Sequence, residues 1–213
     1  MTVELHAYHY SVYSWIARLV LREKGVSHDY VEVNPFATDM PSEYLTKHPF
    51  RRVPTLVHDG FVLYETAAIT RYIDETFTGA PLQPTGNRAR ARLTQIIGII
   101  DAYGYWPMVR QVFSHRVFKP CTGQPADESE VRSGIVSSER VLGALEALAE
   151  GGGFLVADQL TLADLHLAPM MAYFNAAEEG CAVLAGHPKL SVWWHSMSAR
   201  AAFIATDPGL PGQ

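Results

Sequence analysis

Short apolar runs and helical spacings alternate along the first 79 residues. Apolar and β-branched runs bounded by turn residues predict four strands. They lie at Thr2–Tyr8, Asp29–Val33, Thr55–His58 and Phe61–Tyr64. Apolar residues three and four positions apart predict helices between and after these strands. The helices are Trp15–Lys24, ended by Gly25, a short turn at Ser42–Lys47, and one that begins at Thr66.

The spacing changes after residues 80–87, a segment rich in proline and glycine that marks a domain boundary. Beyond it only helical patterns occur. They predict helices at Arg88–Phe118, with a bend at Pro107, and at Glu128–Glu150, Leu162–Ala177 and Leu190–Thr206. The predicted organisation is an α/β domain over residues 1–79, the linker, an all-helical domain over 88–207 and a loose tail over 208–213.

The stretch from Arg51 to Glu75 contains the strongest local signals. Asp59-Gly60 between two apolar runs predicts a tight hairpin. Val53-Pro54 precedes it, and an X-Pro bond is accessible to cis geometry, which would turn the backbone of Val53 toward an extended peptide. At Glu65-Thr66 a helix begins, where free N–H groups and the helix dipole suit a carboxylate, while Glu65 suits an ammonium. A peptide backbone, a carboxylate and an ammonium held together describe the γ-glutamyl and cysteinyl parts of glutathione.

Residues 53–73, VPTLVHDGFVLYETAAITRYI, resemble the signature of cytosolic glutathione S-transferases, with Thr66 where the family usually has serine. The second half of the chain contains two further motifs that resemble this family. Thr161-Leu162-Ala163-Asp164 resembles the capping motif of the family's helical domain, and the segment from His187 to Trp193 resembles its closing segment. The resemblance covers nearly the whole chain. It implies the glutathione transferase fold, an N-terminal thioredoxin-like domain with a mixed sheet, followed by an all-helical C-terminal domain.

The composition argues against several classes of protein, among them nucleic-acid-binding and membrane proteins. With 48% hydrophobic and 18% charged residues the chain can bury a sizeable core, and a net charge of −5 gives no electrostatic reason to expect nucleic acid or a membrane as partner. No apolar stretch is long enough to span a bilayer, and the first residues lack a signal-peptide pattern. Cys121 and Cys181 lie far apart without zinc-site spacing, so we expect no metal, no disulfide framework and a cytoplasmic location.

Glutathione transfer needs a hydrogen-bond donor to the sulfur, because a free thiol with a pKa of about 8.5 is mostly protonated at neutral pH. The loop after the first strand offers several hydroxyls. Ser11-x-x-Ser14-Trp15 resembles the serine loop of phi- and zeta-class enzymes and of bacterial-type relatives, which implies Ser11 as the activator. Ser14 is the second candidate, with N-cap of the first helix as its competing role. Tyr8 is the third, because alpha-, mu- and pi-type enzymes use a tyrosine here. The loop contains no cysteine, which disfavours mixed-disulfide chemistry.

The same resemblance assigns the binding of glutathione, as co-substrate, to a set of matching positions. These are Arg52, Val53, Pro54, Glu65 and Thr66. Asp39-Met40 stand where the phi-class pattern usually has His-Lys. The contact to the glycine carboxylate therefore stays open, with Lys47 and His48 as possible substitutes.

The second substrate is expected between the two domains. Aromatic residues on the long helical stretch and in the first loop provide an apolar wall. The predicted electrophile pocket comprises Tyr10, Tyr13, Tyr105, Trp106 and Phe113. Tyr13 stands where the zeta-class pattern has cysteine, which disfavours the zeta isomerase reaction.

These features predict a glutathione S-transferase of the detoxification type, a homodimer that conjugates glutathione to small apolar electrophiles without a metal. Two alternatives remain open. One is a glutathione-dependent isomerase, peroxidase or dehalogenase that uses the same site. The other is a non-catalytic module that binds glutathione or another protein, because one fold supports many functions.

Overall fold

A computed structural model describes residues 2–211 of the chain and divides it into two compact units. The first runs up to Pro81 and also includes Ala205–Pro208. The second comprises Leu82–Ile204 and the residues from Gly209 onward. Gly212 and Gln213, the end of the predicted tail, lie outside the described residues. The domain boundaries drawn from the sequence stay a prediction.

The first unit contains a four-stranded mixed sheet in the order β2-β1-β3-β4. Its elements are β1 Val3–Ala7, α1 Val12–Glu23, β2 Asp29–Glu32, α2 Ser42–Lys47, β3 Thr55–His58, β4 Phe61–Tyr64 and α3 Thr66–Thr76. Strand β1 pairs with β2 in parallel, because α1 carries the chain back between them, and with β3 in the antiparallel sense. This mixed sheet with helices between its strands confirms the predicted thioredoxin-like domain.

The hairpin of β3 and β4 follows from its turn. Asp59 and Gly60 have φ values of 47° and 86°, and this pair of left-handed residues gives a turn whose twist matches that of the strands. Leu56 lies opposite Leu63 in the resulting register. Strands β1 and β3 and the helices after β1 and β4 then supply a common core. Its fully buried members include Leu5, Ile16, Leu19, Leu56, Ile69 and Ile73.

All regular secondary structure of the second unit is helical within the described residues. It contains α4 Asn87–Ile99, π-helical stretches at Ile100–Gly104 and Trp106–Phe118, α5 Lys119–Cys121, α6 Glu128–Leu148, α7 Leu162–Asn175, α8 Glu178–Ala185 and α9 Pro188–Ser198, and it leads into α10 Ala201–Thr206. The predicted single helix Leu190–Thr206 is wrong. It is two helices, because α9 ends in a turn in which the N–H of Arg200 donates to the carbonyl of Met197. Helix α8 had no sequence prediction.

The predicted capping motif opens α7 as expected. Thr161 and Asp164 form a capping box. One oxygen of Asp164 accepts from the backbone N–H and the hydroxyl of Thr161, at 2.7 and 2.8 Å. The other accepts from the N–H of Leu155 at 2.8 Å and from the indole of Trp193 at 2.9 Å. Because Asp164 is fully buried, this carboxylate joins three segments of the second unit in its interior.

Two features bear on the predictions made from composition. Both Cys121 and Cys181 are free and exposed. Within the part of the chain that the structure describes, every helix is too short or too polar to cross a membrane.

Candidate functional site

The loop after β1 forms a tight turn that places Ser11 at the start of α1. The N–H of Ser11 donates to the carbonyl of Tyr8 at 3.0 Å. Ser11 has extended backbone angles, φ −75° and ψ 124°, and its Oγ accepts from the N–H of Ser14 at 3.3 Å, which makes it the N-cap of the helix. Since the hydroxyl oxygen acts as acceptor in this bond, its own hydrogen can be donated to a ligand. The half-buried hydroxyl also lies at the positive end of the helix dipole.

The structure corrects the role considered for Ser14. The predicted helix start at Trp15 is wrong, because α1 begins at Val12, so Ser14 lies inside the first turn and is not its N-cap. Its side chain is fully buried, and its Oγ accepts from the N–H of Tyr8 at 3.2 Å. Ser14 therefore joins the end of β1 to α1, and its burial makes it a poor partner for a ligand outside the fold.

Tyr8 is half-buried and packs edge-on against two rings, Tyr10 and Phe36, with ring centres 5.9 Å apart in both pairs. Burial raises the pKa of the Tyr8 hydroxyl, and the negative charge of Glu32 and the neighbouring Tyr10 act in the same direction. The Tyr8 hydroxyl therefore keeps its proton at neutral pH and can itself donate a hydrogen bond. The choice between Ser11 and Tyr8 as activator stays a prediction.

A second group of candidate residues lies where β4 meets α3. Glu65 is exposed and precedes α3 with a left-handed φ of 72°, a conformation that costs a non-glycine residue of the order of 1–3 kcal/mol. Its side chain does not cap the helix. The backbone N–H groups of the first turn thus remain available for an anion, with the largely buried Thr66 beside them. Strain of this kind concentrates at binding sites, which agrees with the role expected from the sequence.

The Val53-Pro54 bond is cis, as the sequence allowed. Both residues are buried. Among the described residues the backbone of Val53 has no hydrogen-bond partner, so its N–H and carbonyl can pair with an extended peptide. Arg52, next to it, is exposed.

Tyr44 holds this segment in place, a role that sequence reasoning missed. Its hydroxyl donates to the carbonyl of Arg52 at 2.6 Å and lies 3.0 Å from the Oγ1 of Thr55, so one buried side chain ties down both ends of the Val53-Pro54 segment. Tyr44 also packs with Met40 and Val53 in a small core cluster. The short apolar pattern of α2 was its only sequence signal, and that pattern does not show where a hydroxyl points.

The two candidates for the glycine carboxylate have different surroundings. The amino group of Lys47 lies 3.4 Å from the Nε2 of His6 and 3.9 Å from Glu43. The His48 ring is buried, packs on Tyr64 with centres 4.8 Å apart, and has an Nδ1 without a partner among the described residues. Burial lowers the pKa of His48, and Arg52 adds to this while Glu65 opposes it. The contact to the glycine carboxylate stays a prediction for either residue.

The aromatic residues expected around the second substrate differ in exposure. Tyr10 and Tyr13 are half-buried in the first unit. In the second unit Tyr105 is half-buried and Trp106 is 58% exposed. Phe113 is buried and stacks on Tyr173 with parallel rings 4.1 Å apart, which is a core contact of that unit. Their assignment to a pocket stays a prediction.

Within residues 2–211, no three His, Cys, Asp or Glu side chains are grouped so as to hold a metal ion.

Comparison with protein families gives matches along both units. Residues 5–81 match the model described as glutathione S-transferase, N-terminal domain, and residues 106–201 match glutathione S-transferase, C-terminal domain.

Individual proteins and structures agree with these matches. The chain is 30% identical over 190 residues to glutathione S-transferase F10 of Arabidopsis thaliana, covering 88% of both proteins. It is also 30% identical over 210 residues to a probable maleylacetoacetate isomerase of Caenorhabditis elegans, covering 96% of this chain and 92% of the relative. Among solved structures, glutathione S-transferase III in its apo form superimposes with a TM-score of 0.87 at 26% identity, covering 100% of this chain and 99% of that one.

Proposed function

The chain belongs to the glutathione S-transferase family, and from that premise we propose that it activates the thiol of glutathione through Ser11 and transfers the sulfur to a small apolar electrophile. The observation that carries this proposal is the hydrogen bonding of the Ser11 hydroxyl at the start of α1. It accepts from the N–H of Ser14 and has a hydrogen to donate at the positive end of α1. A hydrogen bond received from Ser14 also polarises the O–H and strengthens it as a donor.

In the proposed complex, the γ-glutamyl carboxylate occupies the N-terminal turn of α3 beside the Thr66 hydroxyl, and Glu65 holds the γ-glutamyl ammonium. The backbone of Val53 pairs with the cysteinyl residue of glutathione, in a segment that Tyr44 fixes at both ends. These contacts place the sulfur; they do not ionise it.

Ionisation is assigned to Ser11. The thiol proton leaves to solvent, and the Ser11 O–H donates to the resulting thiolate, which lowers the thiol pKa. The thiolate then forms a C–S bond with the electrophile. A leaving group departs with the electron pair, or the adduct takes a proton from solvent when the reaction is an addition.

A second candidate reaction has a specific observation in its favour. The similarity to a probable maleylacetoacetate isomerase extends over 96% of this chain, so a glutathione-dependent isomerisation is the alternative use of the same thiolate. Tyr13, which replaces the cysteine of the zeta-class loop, favours conjugation over this alternative.

We also propose a homodimer and a cytoplasmic location. Phe36 and Phe50 of the first unit are 62% and 66% exposed, and a subunit interface would cover such side chains. The two free, exposed cysteines suit a reducing compartment. Sedimentation equilibrium at micromolar concentration tests the dimer, and a monomer at all concentrations would exclude it.

The deciding experiment is a titration of the protein with glutathione across pH, following bound thiolate by ultraviolet difference absorbance. Binding with a thiol pKa well below about 8.5 supports an activated-thiol enzyme. Binding with an ordinary thiol pKa would leave only the non-catalytic alternative. Absence of binding would contradict the glutathione site itself. If the thiol is activated, parallel assays with aryl halides and with a cis-enone diacid separate conjugation from isomerisation.

A further inference from the structure

His9, the residue after Tyr8 in the turn that precedes Ser11, is held by three separate parts of the first unit. Its N–H donates to the carboxylate of Glu32 at the end of β2, at 3.2 Å. Its carbonyl accepts from the guanidinium of Arg18 on α1, at 3.1 Å. Its ring Nε2 lies 3.0 Å from the carbonyl oxygen of Pro208. The main chain and the side chain of one exposed turn residue are thus both fixed.

The contact with Pro208 has a defined direction. A carbonyl oxygen can only accept, so the Nε2 of His9 must carry hydrogen and donate. The segment that provides the acceptor is itself anchored, because Pro208 is buried and the Oγ1 of Thr206 accepts from the indole of the buried Trp15 at 3.1 Å. Residues 205–208 therefore form a fixed support against which the His9 ring is held.

The same turn determines the position of the proposed activator. The N–H of Ser11 donates to the carbonyl of Tyr8, so His9 and Tyr10 are its two central residues. Any rotation of the turn moves the cap position and the direction of the Ser11 O–H. Hydrogen bonds weaken steeply with misalignment, so a small rotation is enough to weaken donation to a thiolate.

We propose that His9 is a positioning residue for thiol activation, whose bond to the Pro208 carbonyl lets the C-terminal segment 205–208 fix the turn and aim the Ser11 hydroxyl. This inference rests on the proposed function. It extends that function by making activation depend on residues almost 200 positions away in the sequence. The groups assigned to glutathione binding, at Val53 and at the start of α3, have no hydrogen bond to His9 among the described residues. We therefore expect substitutions of His9 to change the activation of the thiol without changing the affinity for glutathione.

The test compares three substitutions of His9. His9→Phe keeps an aromatic ring and removes the donor. His9→Asn suits a turn but is too short to reach the carbonyl. His9→Gln keeps an N–H donor at nearly the reach of Nε2. His28→Phe and His28→Gln are the matched controls, since His28 belongs to the same unit and, among the described residues, its ring hydrogen-bonds to no group but the carbonyl of Val26, two residues away.

We expect His9→Phe and His9→Asn to raise the thiol pKa of bound glutathione by about one unit and to lower kcat about tenfold, with the Kd for glutathione within about twofold of wild type. His9→Gln and both His28 variants should resemble wild type. Hydrogen exchange of the C-terminal peptide provides a second readout, and it should rise in the variants without a donor and not in His9→Gln.

Several results would overturn the proposal. One is an unchanged thiol pKa in His9→Phe and His9→Asn while exchange of the C-terminal peptide rises, because the contact would then exist without aiming Ser11. Another is an equal rise of the thiol pKa in His9→Gln. A parallel loss of glutathione affinity and melting temperature would indicate a purely structural role. Failure of the proposed function is distinguishable, because it shows in the wild-type protein as an ordinary thiol pKa before any variant is made.

Discussion

The backbone N–H of Ser14 donates a hydrogen bond to the hydroxyl oxygen of Ser11, with 3.3 Å between N and Oγ. This bond assigns different roles to two serines that the sequence left in competition. Ser11 caps α1 with a half-buried hydroxyl that can still donate, whereas Ser14 is enclosed and accepts from Tyr8. The proposed activator and its structural neighbour are therefore only three residues apart and differ mainly in exposure.

Removal of the Ser11 hydroxyl should raise the thiol pKa of bound glutathione by about one to two units, because a hydrogen bond to a charged group contributes about 1.5–3 kcal/mol. Ser11→Ala also removes the cap, at about 1 kcal/mol of stability, whereas Ser11→Gly costs only a few tenths. Ultraviolet titration of all three proteins separates the two effects. The same high thiol pKa in both variants supports activation by Ser11. A wild-type value in Ser11→Gly would return the assignment to Tyr8.

Thr66→Val should weaken glutathione binding about tenfold, because the variant loses a hydroxyl donor to the proposed carboxylate while keeping the side-chain shape. The thiol pKa of whatever glutathione binds should not change. Isothermal titration calorimetry measures the Kd. Thr76→Val, at the exposed end of the same helix, is the control and should bind as wild type does. Equal affinities of the two variants would remove Thr66 from the site.

Glu65→Gly should make the protein more stable and its glutathione binding weaker. Glycine adopts the φ of 72° without the strain that glutamate bears, a gain of about 1 kcal/mol, but it removes the carboxylate proposed to hold the ammonium. Thermal unfolding tests the predicted gain in stability, and calorimetry tests the predicted loss of glutathione affinity. Ala157→Gly, at φ 58° in the second unit, is the control and should gain stability alone. Normal glutathione binding by the Glu65→Gly protein would show that the strained backbone at residue 65 is not part of the glutathione site.

Stability should fall as the pH decreases below about 6.5, partly through His48. Burial lowers the pKa of His48 in the folded protein below its usual 6.5, so at pH values between these two the unfolded chain binds more protons. The free energy of unfolding then decreases as pH falls through that window and is retained above it. Urea unfolding at several pH values between about 5 and 8 measures this slope. His48→Asn should flatten it, and the exposed His195→Asn should not; equal slopes in wild type and His48→Asn would refute the assignment.

Asp164→Ala should destabilise the protein by about 3 kcal/mol, because it leaves buried donors of Leu155, Thr161 and Trp193 without an acceptor. Glutathione affinity of the protein that remains folded should not change, since these contacts lie within the second unit. Chemical denaturation measures the loss. The exposed Asp158→Ala is the control. A loss below about 1 kcal/mol would show that the capping box alone, and not the buried network, matters.

Much of the fold could be predicted from local signals. Asp59-Gly60 predicted the hairpin, Thr161 and Asp164 the capping box, and Val53-Pro54 the site of the cis bond, because turn chemistry and caps involve residues only a few positions apart. The helix boundaries were less certain. The start of α1 was placed three residues late, since several residues of the hydroxyl-rich loop could serve as its cap.

The sequence by itself determined which residue types are present and in which order, and this was enough to identify the sheet and the helical half and to predict which residues hold glutathione. Only the tertiary structure decided which hydroxyl remains accessible, because the burial of Ser14 and its bond to Tyr8 arise only once the chain has folded. It likewise showed that Tyr44 fixes the Val53-Pro54 segment and that Pro208 meets His9. The last of these contacts joins residues that are close only after the chain has folded, and no local spacing encodes it.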